Sequence, residues 1–232
     1  MNAVRIFAAT LLFAVVANAE IPDLCNTGQT LRTASGCSGV LVTPNPAGGG
    51  PKRDGNWNIA YPYPSTLSTS FAACGLKTFI SAWVDNPVAG AWIPNSTESE
   101  WITPYDGEGN LTSGWYVYST GFHVPAVLPS GVAPKGVVIN GRLASDNSTY
   151  AFVLESVAKG GSGAVPKGLP IPINPGTLPG DDSEKWTEFT FTNPVAITPG
   201  SDLVLYVVVQ NAYSAASPSG LRVEFFDTSA FY

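Results

Sequence analysis

The stretch 186–226, WTEFTFTNPVAITPGSDLVLYVVVQNAYSAASPSGLRVEFF, constrains the fold of this chain more than any other. Runs of Thr, Val, Leu, Tyr and Phe are broken every few residues by Pro, Gly, Asn or Ser. The runs have the length of single strands, and the breakers supply turns between them. The same punctuation continues along the chain, which carries 24 Gly and 20 Pro in 232 residues. The expectation is an all-β fold in which loops and sheet faces carry any binding site.

The clearest alternation is GWYVYSTGFHV at 114–124. Trp115, Val117 and Ser119 are expected on one face, and Tyr116, Tyr118, Thr120, Phe122 and Val124 on the other. Further strands are expected at 29–33, 40–43, 56–61, 78–84, 135–143, 150–155, 186–192, 203–210 and 221–226, with a short one ending 92–103. Segments 44–55 and 159–185 read as loops, because Pro and Gly dominate them. About ten short strands at this spacing point to a jelly-roll β-sandwich.

The beginning of the chain reads as an export signal over residues 1–19. Arg5 precedes an apolar stretch at 6–16, and Ala17-Asn18-Ala19 forms a small-x-small cleavage site before Glu20. The apolar stretch is too short to span a bilayer, and no later run is long enough to give the mature chain a transmembrane segment. A secreted location, extracellular or periplasmic, is therefore expected. Residues 20–232 suit one domain, with 20–55 as an irregular region packed on a sandwich of 56–232. The full chain carries 11 basic and 17 acidic residues, for a net charge of −6, and loss of Arg5 makes the mature chain one unit more negative. An acidic surface argues against nucleic acid and anionic membranes as partners.

Export permits disulfides, and three cysteines allow one bridge. Cys25–Cys37 would close a short loop. Cys25–Cys74 or Cys37–Cys74 would pin that loop to the body. The chain-entropy argument favours a loop-to-body staple, and Cys37–Cys74 is the pairing expected. The cysteine spacing matches no structural zinc pattern, and the single histidine, His123, lies mid-strand.

Catalytic signals are weak. Glycoside hydrolysis needs two carboxyls flanking the scissile bond. Asp106 and Glu108 in YDGEGN, and Asp181, Asp182 and Glu184 in the long loop, sit in turns whose backbone favours Asp and Gly anyway. No G-x-S-x-G elbow, P-loop or dinucleotide fingerprint occurs. A non-enzymatic role is expected. The hard oxygens of Asp106, Glu108, Asp181 and Asp182 suit a structural Ca²⁺.

Six Trp and nine Tyr form the surplus of this composition. Trp57, Trp83 and Trp101 sit in strand-like segments and are expected in the core. Trp92 in GAWIPNST, and Tyr61 and Tyr63 flanking Pro62, sit among turn residues. These three are the expected exposed rings, on which the C–H faces of sugars could stack. In GRLASDN, Arg142, Asp146 and Asn147 could donate to and accept from a vicinal diol. The competing reading is that Asp146 and Asn147 close a turn through local bonds. Arg222 is expected to form a structural ion pair with Glu224 on the same strand face.

Several pieces occur together in order: IPDLCNTG (21–28), DGNWNI (54–59), SEWITP (99–104), GWYVYSTGF (114–122), GRLASDN (141–147) and PSGLRVEFF (218–226). In this the chain resembles bacterial exported domains with a galactose-binding-like jelly roll, often found in proteins with a Pro-Glu-Pro C-terminal sorting tail. It departs from them by continuing STYAFVLES after the Asp-Asn pair, and by ending at DTSAFY without that tail. The resemblance implies a non-catalytic extracellular module that binds a glycan or surface polymer. Two alternatives remain: an envelope or matrix protein that self-associates through exposed strand edges, and a glycoside hydrolase.

Overall fold

The computed structural model describes residues 19–20, 24–33, 37–44, 52–63, 79–106, 111–124, 136–157, 171–172, 183–193, 198–211 and 217–231. Its regular elements are all strands: β1 (Ala19–Glu20), β2 (Arg53–Tyr63), β3 (Ile80–Asp85), β4 (Trp101–Thr103), β5 (Gly114–His123), β6 (Gly136–Asp146), β7 (Ser148–Val157), β8 (Ile171–Pro172), β9 (Thr187–Asn193), β10 (Asp202–Asn211) and β11 (Gly220–Phe231). Among the described residues no helix is long and apolar enough to cross a membrane.

The strands form one antiparallel sheet in the order β8-β7-β10-β5-β2-β3-β4-β11-β6-β9, with β1 paired to β11. The all-β expectation holds. The strands do not separate into two hydrogen-bonded sheets, because β2 pairs with β3 through Asn58–Ser81 and Ile59–Ile80 and so joins the two halves. The sheet curls around the core, and its two halves pack on each other there. Phe152 of β7 lies 4.7 Å from Phe189 and 5.7 Å from Phe191, both on β9 at the far end of the order. From β4 onward the chain crosses between the halves at every step except β7 to β8, so that β10 returns between β7 and β5, and β11 between β4 and β6.

The alternation read in 114–124 is the alternation observed. Tyr116, Tyr118, Phe122 and Val124 enter the main core with Trp57, Ile59, Leu203, Leu205, Val207 and Val209. The opposite face of this region is also covered: Trp115, Val117, Ser119, Tyr206 and Val208 are all buried, and Phe79 packs on Tyr206 at 5.9 Å. Burial on both faces explains why the strand runs here are so apolar.

Segment 24–30 fills the gap between β2 and β11. Thr27 exchanges bonds with Val223, its N–H donating to Val223 O at 3.1 Å and its Oγ1 accepting from Val223 N at 3.0 Å. On the other side Gly55 N donates to Gln29 O at 3.0 Å. Gly28 is required here: its φ is +82°, and a Cβ would lie 2.6 Å from Glu100 Cβ. The chain then folds back on itself through the Gln29–Leu41 bridge. This return brings Cys25 and Cys37 to a Cα separation of 5.3 Å, and they form the disulfide. The expected Cys37–Cys74 bridge is thereby corrected, since local chain reversal supplies Cys37 with a nearer partner than a staple to the body would. Cys74 lies outside the described residues.

The Phe152 ring packs one half of the curl against β9 of the other. Phe152→Ala is expected to cost about 3–5 kcal/mol, read as a lowered urea midpoint. A loss below about 1 kcal/mol would mean that the Phe152 contacts with β9 do not hold the two halves together.

Candidate functional site

The outer face of β6 and β11 carries the polar chemistry of the molecule. On β6 the outward residues are Arg142, Ala144 and Asp146. Register sets Glu224 of β11 opposite Arg142, Arg222 opposite Ala144 and Gly220 opposite Asp146. Glu224 is the hub. It accepts from Arg142 Nε at 2.7 Å, Ser99 Oγ at 2.7 Å and Ser96 Oγ at 3.1 Å, and pairs with Arg222 at 3.4 Å. The expected Arg222–Glu224 pair is therefore present, and it is buried, with 1% and 4% of the two side chains exposed. Arg222 also donates to Ser99 Oγ at 2.8 Å and to the Pro94 carbonyl. Trp186 covers both guanidiniums, 4.5 Å from Arg142 and 4.6 Å from Arg222. Burial pulls the Arg222 guanidinium down to about 10, against the Glu224 charge. The Glu224 carboxyl is held below its ordinary value, because its Ser99, Arg142 and Ser96 contacts outweigh the burial that would raise it.

A second polar group pins segment 24–30. Asp54 accepts from Gly28 N at 2.6 Å, Asn56 N at 2.7 Å and Trp57 N at 2.8 Å. Burial raises its carboxyl from 3.8 to about 7, even against those three donors. Glu100 rises from 4.5 to about 7 by burial, opposed by Arg222 and reinforced by Asp54. Glu100 Oε2 is buried without a hydrogen-bond partner.

The sequence-expected site residues fare unevenly. Trp92 is 7% exposed, not a surface ring. Segment 86–100 folds back over β6, stacks Trp92 on Trp101 at 4.3 Å and gives its indole N–H to Asp146 Oδ2 at 2.7 Å. Asp146 and Asn147 are buried and form the tight β6–β7 connection, with Asn147 Nδ2 on Asp146 Oδ1 at 2.8 Å. Arg142 keeps 36% of its side chain exposed. Tyr61 and Tyr63 lie on β2, but their side chains are outside the described residues. Of the calcium candidates, Asp106 pairs with Lys52 at 2.9 Å. Glu108, Asp181 and Asp182 fall outside the described residues, among which no three His, Cys, Asp or Glu side chains gather to hold a metal.

The exposed ring that sequence reading missed is Phe226. Phe225 pairs with Gly141 and Asp227 with Asn140, so Phe226 is the extra residue of a bulge in β11. The bulge turns it outward, 56% exposed. It stands over a depression of about 380 Å³ lined by Asn140, Gly141, Glu188, Phe189 and Thr190. Gly141 also lines it, and on the core side of the strand a Cβ there would meet Glu224 O at 2.5 Å and the Phe189 ring at 2.9 Å. Thr190 Oγ1 donates to Asn140 Oδ1 at 2.8 Å, and Arg142 lies 5.8 Å from the Phe226 ring. An exposed apolar ring beside amide, hydroxyl, carboxylate and guanidinium groups can stack a ligand on one face and hydrogen-bond its edge.

No family model matches this chain, and no curated protein matches it. Among solved structures, an arabinose-bound α-L-arabinofuranosidase aligns at 13% identity and a TM-score of 0.33, over 91% of this chain and 30% of that one. A likeness at that TM-score carries no argument about fold or activity.

Glu224→Ala would leave Arg222 buried without its carboxylate, and is expected to cost about 3–5 kcal/mol, measured by urea denaturation at neutral pH. Asp54 and Glu100 make a separate prediction. The folded state holds their protons to higher pH than the unfolded chain does, so their stabilisation is complete below about pH 4 and is lost as pH climbs to about 7. The urea midpoint should fall across that window, and fall less in the Asp54→Asn, Glu100→Gln double variant. Equal pH slopes in the two proteins would contradict the raised values.

Proposed function

We propose that this chain is a secreted, non-catalytic module that binds an extracellular glycan or surface polymer on the outer face of β6, β9 and β11. One observation carries the reading: Phe226, an apolar ring on a rigid strand, is turned into solvent beside Asn140, Glu188, Thr190 and Arg142. Solvated large apolar rings cost little singly, but one set in a depression lined by hydrogen-bonding groups matches the two-sided chemistry of a sugar. Among the described residues the tryptophans do not compete for this role. Trp57, Trp92, Trp101 and Trp115 are buried, and Trp83 and Trp186 are half-buried against arginine guanidiniums.

The finer architecture belongs to the same reading. The repeated crossing of the chain between the two halves of the curled sheet, broken only by the β7–β8 pair, supports a galactose-binding-like jelly roll. The Cys25–Cys37 disulfide supports an oxidising compartment, hence export.

A second reading rests on β9. It ends the strand order, and among the described residues it pairs only with β6. Its far edge could accept a strand from a second copy.

Affinity electrophoresis of the 20–232 protein through gels containing neutral and acidic polysaccharides tests the first reading. Retardation by at least one polymer is expected. Phe226→Ala should abolish it, and Tyr105→Ala, at a second exposed ring, should leave it intact. Retardation indifferent to Phe226 would move the site elsewhere. No retardation, together with concentration-dependent assembly by light scattering, would favour the β9 edge.

A further inference from the structure

We infer that Phe226 is a partition between two subsites, so that the ligand is an extended chain of neutral, hydroxylated rings running across it; this rests on the glycan reading above. A second depression, of about 270 Å³, lies on the other side of the ring, between segment 24–30 and β11. Leu24 and Phe225 give it apolar lining, and Gln29, Asp227 and Thr228 give it polar groups. Phe226 lines both depressions. Asn26 ties segment 24–30 to β11 beside the ring, its Oδ1 accepting from Phe225 N at 2.8 Å and its Nδ2 donating to Glu98 O at 3.2 Å.

One acceptor at the second depression has no donor within the protein. Gln29 is only 5% exposed, and its Oε1 is buried without a hydrogen-bond partner. A buried acceptor left dry is costly, so a hydroxyl supplied by a ligand gains more here than at an open surface. On the first side, Glu188 and the Asn140–Thr190 pair offer acceptors and a hydroxyl to a second ring. The two depressions share one aromatic wall, and a chain of at least two rings can pass its apolar face over Phe226 with its edges in both.

Charge narrows the polymer. Glu188 and Asp227 are exposed, one on each side of the ring. On the first side Arg142 is already paired with Glu224, and on the second Arg32 lies against the Cys25–Cys37 disulfide. Uronate or sulfated chains would meet an exposed carboxylate on each side, whereas neutral chains meet acceptors suited to their hydroxyls.

Isothermal titration with neutral gluco-, xylo-, manno- and arabino-oligosaccharides of one to six units tests this, with oligogalacturonates as the anionic comparison. In the series that binds, affinity should rise at least about tenfold between one unit and three or four. Gln29→Leu, of similar volume, should remove most of that gain and leave the affinity for the shortest binder unchanged. Asp227→Asn, at an exposed position that leaves folding intact, should weaken the longer ligands alone and guards against a Gln29 variant that misfolds. Affinity independent of length, or equal losses at every length in both variants, overturns the two-subsite proposal and leaves the glycan reading standing. Tighter binding of the galacturonates overturns the neutral class. Absence of binding by every series, while polysaccharide gels still retard the protein, also overturns this proposal; absence in both defeats the glycan reading itself.

Discussion

The buried Arg222–Glu224 pair is the contact on which the outer face of this protein depends. Two charges on one strand, two residues apart, must point the same way, and here that way is away from the main core. Neither can be left bare under a loop without a large desolvation cost. The structure answers by bringing partners from three places. Segment 94–99 supplies the Pro94 carbonyl and the Ser96 and Ser99 hydroxyls. β6 supplies Arg142, and Trp186 roofs both guanidiniums. The long connection between β3 and β4 is thus fixed by electrostatics as much as by the Trp92–Trp101 contact. Fixing it sets where Arg142 ends and where the Phe226 ledge begins.

Much of the fold was legible because strand period and turn punctuation are local. The alternation at 114–124 gave the inward set of β5 correctly, and each segment read as a strand from 56 onward overlaps an observed one. The Arg222–Glu224 pairing followed from the same period of two. What local reading missed depends on distant parts of the chain. GAWIPNST looks like a surface turn, yet Trp92 is covered because Asp146, 54 residues away, takes its indole proton. The pairing of Cys37 turned on chain reversal through Gln29 and Leu41, whereas the entropy argument weighed only loop length.

Phe226 shows the limit most clearly. SGLRVEFF reads as plain alternation, in which Phe226 would share a face with Arg222 and Glu224 as part of a regular strand. Only the register with β6, where Phe225 meets Gly141 and Asp227 meets Asn140, reveals an extra residue. The signal available in sequence was the adjacent pair of phenylalanines. One of them had to leave the core, since neighbouring strand residues face opposite ways. Phe225 stays inside, stacked on Trp57 at 6.1 Å.

The two readings of function draw on neighbouring strands without excluding each other. A strand added to β9 would lie about 4.8 Å beyond it, on the side away from β6. Phe226 stands on β11, two strands back in the order, and would stay uncovered. β9 also carries its own guard against indiscriminate pairing. Its outward residues are Glu188, Thr190 and Thr192, while Phe189 and Phe191 are turned into the core. A charge and hydroxyls on an edge strand blunt its tendency to template other chains. Glu188 and Thr190 also line the ledge beside Phe226. One short strand thus meets two demands with one pattern, and the outward polarity that suits an edge is the polarity that a hydroxylated ligand would need.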